Sequence, residues 1–396
     1  MKRTIRIFGL LLGMMLPCSG TDPHAEGFTL SGILDNKVSF QAGIGDSEPF
    51  LFGWEAYGHL RLQQKIGDRA DIYGAFNLVA AAGSSALAAG SLTGTASNPF
   101  SASAFSTGDN YMAAMELERL HARIKGEYLD ADTGLMRLGF GFGQIFGPSD
   151  FLNPRNPLFP DARPRAVLGA AVSAYPEDTL KLLAFTVTPK NPFAAGGGGF
   201  LAGISGDKHG DKASVQVLYS FETPRETCEY GIHRTGLSLK ADVEAGFTLD
   251  LLYGYNHQAR TGIEGLSAST GFDYSLFDGK CYILAEYLYN GAASSTAKSS
   301  GNQTGFLNRN YLCGTFLYHA SDYTRITLTV LFGLDDISSS PSLALDHDLF
   351  QGITLGLTGR LPLDQDVFTG NGRRGELGPH MTGTAGLVTA RLRLRF

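Results

Sequence analysis

The sequence predicts an all-β, transmembrane, antiparallel up-and-down β-barrel of about 18 strands, with 16 strands as the alternative. Three observations support this fold class. Apolar and polar residues alternate with a period of two through most of the chain, and charged residues make up only 18% of it. Beyond the N-terminus, no apolar run reaches the roughly 20 residues of a membrane helix. Since alternate side chains of a strand point to opposite faces, each strand can present one lipid face and one aqueous face.

The N-terminal stretch has the pattern of an export signal. An apolar run at residues 7–16 follows three basic residues and precedes small ones; the basic residues are Lys2, Arg3 and Arg6. We expect residues 1–20 to be a signal peptide, with cleavage after residue 25 as a second option. Residues 26–396 would then form a single barrel domain. Lipidation of Cys18 is a less favoured alternative, because Pro17 precedes it directly.

Charge and motifs exclude several functional classes. Removing residues 1–20 takes away three positive charges and no negative ones, so the formal charge falls from −6 to −9 and bulk binding of nucleic acid is not expected. Cys228, Cys281 and Cys313 remain, an odd number that leaves open whether any bridge forms. The sequence has no CxxC, HExxH or GxSxG motif, so we expect no metal, no cofactor and no enzymatic activity.

Strand signals in the first half define two hairpins and one unusual segment. Residues 54–62 and 70–80 pair around a turn at 66–68, and residues 111–128 form the next long strand. After a turn at 130–134, residues 135–144 alternate Met, Leu and Phe with Arg137 and three glycines. We expect a strand there whose glycines leave space on the inner face for an approaching element.

A proline-rich segment at 147–164 follows. Five prolines in 18 residues exclude a regular strand or helix, yet the segment is too apolar for a freely solvated tail. It is either an ordered loop folded into the barrel lumen or an external loop packed on its neighbours.

The second half continues the alternation to the C-terminus. We predict strands at 165–175, 180–188, 200–205, 213–221, 235–243, 247–257, 271–277, 281–290, 311–319, 325–334 and 349–361, a short one around Val367, and the closing strand. Short turns near 66, 130, 176, 207, 245, 278, 321 and 362 would be periplasmic. Longer loops near 83, 147, 189, 222, 258, 291, 335 and 370 would face outside.

The closing strand carries the most specific signal. Ala390, Leu392, Leu394 and Phe396 alternate with three arginines. This ending resembles the closing strand of bacterial outer-membrane β-barrels of the porin-like family; no subfamily is identified. The resemblance implies location in the bacterial outer membrane, and it implies that Leu392, Leu394 and Phe396 are read by the barrel-insertion machinery.

Charged residues on the predicted inner faces are the candidate pore lining. The basic row Arg119, His121, Arg123 and Lys125 occupies four successive inward positions, and Arg137 follows on the next strand. If the proline-rich segment folds inward, as the constriction loop of general porins does, four more residues meet the solute: Asp150, Arg155, Asp161 and Arg163. Alternatively, such charges pair with one another and only solvate the wall.

A barrel of 16 to 18 strands is wide enough for an aqueous channel. We therefore expect passive diffusion of small hydrophilic solutes or ions, with the basic row giving a mild anion preference. Transport of a hydrophobic substrate and surface adhesion are the alternatives. Expected partners are membrane lipid, the insertion machinery and the solutes themselves; homo-oligomerisation stays open.

Overall fold

The computed structural model describes residues 28–43, 50–85, 106–108, 110–153, 157, 166–188, 199–224, 231–256, 265–291, 293, 306–369 and 373–396. Within them, 18 strands form one closed antiparallel ring, and a further three-residue strand, β4, pairs with β5. Two short helices lie in the last long connection. Among the described residues, no helix is long and apolar enough to cross a membrane.

The strands of the first half are β1 (Phe28–Ala42), β2 (Phe50–Ile66), β3 (Ala70–Gly83), β4 (Ser106–Gly108), β5 (Tyr111–Lys125), β6 (Leu129–Met136), β7 (Val167–Glu177), β8 (Leu180–Thr188) and β9 (Leu201–His209). The second half contains β10 (Ala213–Glu222), β11 (Ile232–Asp242), β12 (Gly246–Asn256), β13 (Leu266–Leu276), β14 (Cys281–Asn290), β15 (Asn310–Ser321), β16 (Thr324–Gly333), β17 (Ser338–Phe350), β18 (Ile353–Arg360), α1 (Gln365–Thr369), α2 (Pro379–Thr382) and β19 (Gly386–Arg395). The predicted total of about 18 barrel strands is confirmed.

The two ends of the chain close the ring. β1 pairs with β2 on one side and with β19 on the other. Phe396 extends this seam, since its carbonyl accepts from the Gly32 amide at 2.8 Å and its amide donates back to the Gly32 carbonyl at 3.1 Å. A Cβ at Gly32 would lie 2.5 Å from Cζ of Phe396, so the glycine makes room for the terminal ring.

The polarity of the wall is the reverse of that of a soluble protein. On β10, Val215, Val217 and Tyr219 are exposed, while Gln216 and Ser220, which alternate with them, are buried. Similar alternation runs around the ring, with exposed apolar residues on every long strand and buried acids such as Asp250 and Glu286 on the inner side. An apolar outer surface around a polar interior is the arrangement of a membrane-embedded β-barrel.

The structure corrects five details of the predicted strand order. The turn predicted at 130–134 was wrong, because these residues lie within β6 and pair with β5 and β7. β1 was not predicted, and neither was β17, which begins with the loop-like sequence Ser338-Ser-Ser-Pro-Ser342. The short turn near residue 362 was wrong, because the chain turns at 351–352 between β17 and β18. The predicted strand around Val367 was also wrong, since Val367 lies in α1.

Candidate functional site: the lumen and its crossing segment

The chain leaves the barrel wall after Met136 and enters the lumen as residues 137–153, which we call the crossing segment. The predicted strand at 135–144 was therefore wrong beyond β6, whose ladder with β7 ends where Met136 pairs with Val167. Leu138, Phe140 and Phe142 alternate with glycines as a lipid-facing strand would. The local pattern does not distinguish a strand from a segment that packs alternate side chains inside the barrel.

Seven consecutive backbone amides of the crossing segment, those of Phe140 to Phe146, donate to side-chain acceptors. Asp150 accepts the first, Gln216 the second, Asp250 the next two and Glu286 the last three, over N···O distances of 2.6 to 3.2 Å. Except for Asp150, these acceptors belong to three strands of the wall on which the segment lies, β10, β12 and β14. We call these seven amides the amide row. Buried amides without a partner cost roughly 1–3 kcal/mol each, so the acceptors hold the segment in place.

The glycines of the segment allow this close approach. Gly141 has φ of 81°, and a Cβ there would lie 2.5 Å from Oδ2 of Asp250. A Cβ at Gly143 would overlap the Phe146 carbonyl oxygen. The glycines were predicted to leave room for another element, but they belong to the element that approaches the wall. Only glycine fits this combination of left-handed backbone and contact with a carboxylate.

Two apolar clusters anchor the segment on either side of the amide row. Phe140, Phe151 and Leu152 pack on buried inner-wall residues of β7 to β10, including Phe185 and Leu218. Further along, Phe146 packs with a second group: Leu288, Phe306, Tyr311, Cys313, Leu331 and Leu377. The segment therefore lies along the inner wall from β7 to β16, and its apolar side chains fill that side of the lumen.

The last long connection joins the second cluster. Leu377 is fully buried there, and its neighbour Glu376 accepts from the amides of Leu307 and Asn308 at 2.9 and 3.1 Å and from the Tyr311 hydroxyl. Burial raises the pKa of Glu376 above its ordinary value of 4.5. Asp364, also fully buried, accepts from the amides of Val367 and Gly375 within the same connection. Asp364 therefore holds the fold of the connection, and Glu376 fixes it to the same wall as the crossing segment.

The opposite wall, from β19 through β1 to β6, carries the densest group of charged side chains among the described residues. At its centre, Glu118 is 4% exposed and contacts three cationic or titratable groups. Its carboxylate lies 2.6 Å from Nη2 of Arg137, 3.1 Å from Nδ1 of His59 and 3.3 Å from Nε of Arg119. We call this group the Glu118 cluster.

Sequence reasoning missed Glu118 because strict alternation turns it towards lipid. A bulge between Ala75 and Phe76 shifts the β3–β5 register, so that Glu118 and Arg119 both reach the inner side. A signal was available: an ionised carboxylate facing hydrocarbon is costly, which argues for a register change at that position.

The predicted basic row lies on β5, next to β3 and β6. Arg119 donates to the Tyr73 hydroxyl at 2.8 Å, His121 packs on the ring of Tyr73, Arg123 pairs with Asp132 at 2.7 Å, and Lys125 pairs with Asp71 at 2.5 Å. Each of these side chains therefore has a neighbour on an adjacent strand. Their role in selecting solutes stays a prediction.

The remaining predicted residues are placed as follows. Arg137 begins the crossing segment and belongs to the Glu118 cluster. Asp150 is 4% exposed and accepts from the Phe140 amide and the Asn153 side chain, so the structure assigns it to holding the segment, and contact with a solute stays a prediction. Leu392, Leu394 and Phe396 are exposed on the outer side of the barrel. Arg155, Asp161 and Arg163 lie outside the described residues, as do Cys228 and the proposed signal peptide.

The described part of the chain contains two cysteines. Cys281 and Cys313 are buried and free. In the part of the chain that the structure describes, no group of three or more His, Cys, Asp or Glu side chains is arranged to hold a metal ion.

Comparisons with known proteins concern the fold. No protein-family model and no curated protein match the sequence. Among solved structures, Acinetobacter baumannii OccAB3 gives a TM-score of 0.56 at 9% identity, covering 93% of this chain and 99% of that one. Pseudomonas aeruginosa OccK5 (OpdH) gives 0.54 at 13% identity, covering 94% and 98%, and A. baumannii OccAB4 gives 0.53 at 12%, covering 94% and 99%.

These structures are bacterial outer-membrane porins, so the chain has the fold expected from its closing strand. The apolar outer surface and the closed ring agree with the predicted location in a bacterial outer membrane.

Proposed function

We propose that this protein is an outer-membrane channel through which small hydrophilic solutes or ions diffuse down their gradients, without catalysis. One observation carries the proposal. A closed 18-strand barrel contains a crossing segment fixed to one side of its lumen, opposite a wall rich in charged side chains. Such an arrangement narrows the lumen from one side and presents charges to whatever passes the other.

Reconstitution in a planar lipid bilayer tests the channel directly. We expect stepwise conductance increments, and liposome swelling with sugars of increasing size should give the exclusion limit. Folded protein that inserts without conductance steps or swelling would overturn the proposal.

A mild preference for anions is the finer part of the proposal. It rests on the basic row of β5, which places Arg119 and Arg123 next to the Glu118 cluster. In the double variant Arg119→Gln/Arg123→Gln we expect the reversal potential in a salt gradient to move towards cation selectivity. Arg325→Gln is a matched control, because Arg325 pairs with Asp346 close to the short turn between β15 and β16. If the double variant and the control behave alike, the basic row does not select ions.

The two ends of the chain would direct its export and its insertion into the outer membrane. Residues 1–20 would direct export, and the insertion machinery would read Leu392, Leu394 and Phe396. Replacing Phe396 by alanine should lower the amount of folded barrel in the outer membrane, measured against Phe28→Ala, which changes an exposed phenylalanine at the start of β1.

A further inference from the structure

The outer face of the barrel contains an apolar groove of about 520 Å³ that crosses the strands from β16 to β2, near the end with the long connections. Strand register explains its shape. Gly359 lies opposite Leu343 on one side and Val388 on the other, and Gly386 lies opposite Ala42. Small outward-facing residues on neighbouring strands therefore form a continuous floor.

Among the residues that the structure describes, no side chain fills the floor at its centre. A Cβ built at Gly359 meets no atom within 4 Å, and one at Gly386 has its nearest neighbour, Cδ1 of Leu361, at 3.8 Å. The flanking side chains stand away from the wall, with Phe50 79% exposed and Leu343 55% exposed. The groove is thus a depression between ridges.

The chemistry of the groove restricts its occupant. Outward-facing side chains along it are apolar, while Ser342 and Arg360 occupy positions that alternate with Leu343 and Gly359 and so belong to the inner face. Among the described residues that line the groove, a ligand would find no hydrogen-bonding side chain on the outer face. The groove is also continuous with the lipid-contacting surface of the barrel, where acyl chains are the surrounding medium.

A second copy of the chain fits less well. A two-fold contact with its axis through the groove would set groove against groove and enlarge the empty space instead of filling it.

We propose that the groove is a binding site for one acyl chain of a membrane lipid, held across β16 to β2 over the floor of Gly359, Gly386 and Ala42. The site depends on the outer surface alone and is independent of conduction through the lumen.

Filling the floor tests the proposal. Gly359→Leu adds a side chain where space is open, and Gly386→Leu is a second filling variant. Gly314→Leu is the matched control: Gly314 lies on β15 between the exposed residues Leu312 and Phe316, and a Cβ there also meets no atom within 4 Å. Folding of each variant is checked by circular dichroism.

The measurement is native mass spectrometry of the full-length mature barrel, delipidated in detergent and titrated with 1-palmitoyl-2-oleoyl-phosphatidylglycerol. We expect one tightly bound lipid on the wild type and on Gly314→Leu, and binding weaker by about tenfold on a filled variant. Should Gly359→Leu fail to fold, Gly386→Leu supplies the same comparison.

Two results would overturn the site. Equal lipid binding by the filled variants, the control and the wild type would show that the groove holds no specific acyl chain. A wild-type mass of two chains that falls to one chain in Gly359→Leu would show that the groove is a contact between copies of the protein.

Discussion

Two buried carboxylates on opposite walls of the lumen have different partners. Glu286 on β14 is 1% exposed and accepts from three backbone amides, whereas Glu118 on β5 is 4% exposed and contacts Arg137, Arg119 and His59. Amides are neutral donors fixed along the chain, so Glu286 holds a piece of backbone. Guanidinium groups are charged and flexible, so Glu118 balances charge. Glu286 therefore helps to shape the passage by holding the crossing segment, whereas the Glu118 cluster sets its electrostatics.

The largest expected effect comes from Glu286→Gln. Oε2 of Glu286 accepts from Ile145 and Phe146, and Oε1 accepts from Gln144. A glutamine that places its amide oxygen at the Oε2 position keeps two of these bonds, but its NH2 group then faces the Gln144 amide, which loses its acceptor at a cost of roughly 1–3 kcal/mol. Hydrogen exchange at Gln144, Ile145 and Phe146 should accelerate by about 5- to 150-fold, and single-channel conductance should become more variable.

Glu177→Gln is the matched control for this substitution, since Glu177 pairs with Lys208 on an exposed turn and touches no part of the crossing segment. Unchanged exchange in Glu286→Gln would mean that the apolar clusters alone hold the segment.

A smaller effect is expected from Glu118→Gln, which removes one negative charge from the charged wall. For an ion about 6 Å away in water, one unit charge is worth roughly 0.7 kcal/mol, and it acts on cations and anions in opposite senses. The anion-to-cation permeability ratio should therefore rise by about tenfold without screening, and by about fourfold at roughly 0.1 M salt, where the Debye length is about 10 Å. Reversal potentials in a salt gradient measure this ratio, and the prediction depends on the channel conducting.

The two substitutions serve as controls for each other. Glu118→Gln should leave the hydrogen-exchange rates of the amide row unchanged. Glu286→Gln should change the anion-to-cation permeability ratio by a smaller factor than it changes these exchange rates. The opposite pattern would show that the division between the two walls is wrong.

The smallest effect concerns pH and the last long connection. Because burial raises the pKa of Glu376, docking of this connection takes up a proton, and the docked state becomes more stable as pH falls through the raised pKa. The added stability of the docked state is complete below the ordinary glutamate pKa of 4.5, and it is lost as pH rises through the raised pKa of Glu376. Exchange at Leu307 and Asn308, corrected for its intrinsic pH dependence, should show increasing protection on acidification. In Glu376→Gln this pH dependence should disappear; if it persists, another group titrates.

Much of the fold could be predicted because strand alternation is local. The hairpin from β2 to β3 and the closing strand show their two faces within about ten residues. β1 was missed because Ile33 faces inward and Asn36 faces outward, which weakens its alternation. β17 was missed because its inner face is built from serines, Ser338 and Ser340, that resemble a loop.

The candidate site was less predictable, because strand alternation is local whereas the site depends on a bulge and on contacts between distant parts of the chain. The basic row was found, because it follows the period of one strand, but Glu118 depends on a bulge that a period-two pattern does not contain. The first part of the crossing segment, up to residue 144, was placed in the wall, because Leu138, Phe140 and Phe142 alternate as lipid-facing residues do. Residues 147–153 were predicted as part of the proline-rich segment, with the lumen as one of its two possible places.

By itself, the sequence determined that the chain forms a closed membrane barrel of about 18 strands, since each strand carries its own apolar face and the last one carries a terminal aromatic residue. Only the tertiary structure decided where the chain leaves the wall. The amide of Gly143 meets Asp250 across 107 residues, and the amide of Phe146 meets Glu286 across 140. Such bonds join residues that are far apart in the sequence and that only the tertiary arrangement of the strands brings together, so no local pattern records them.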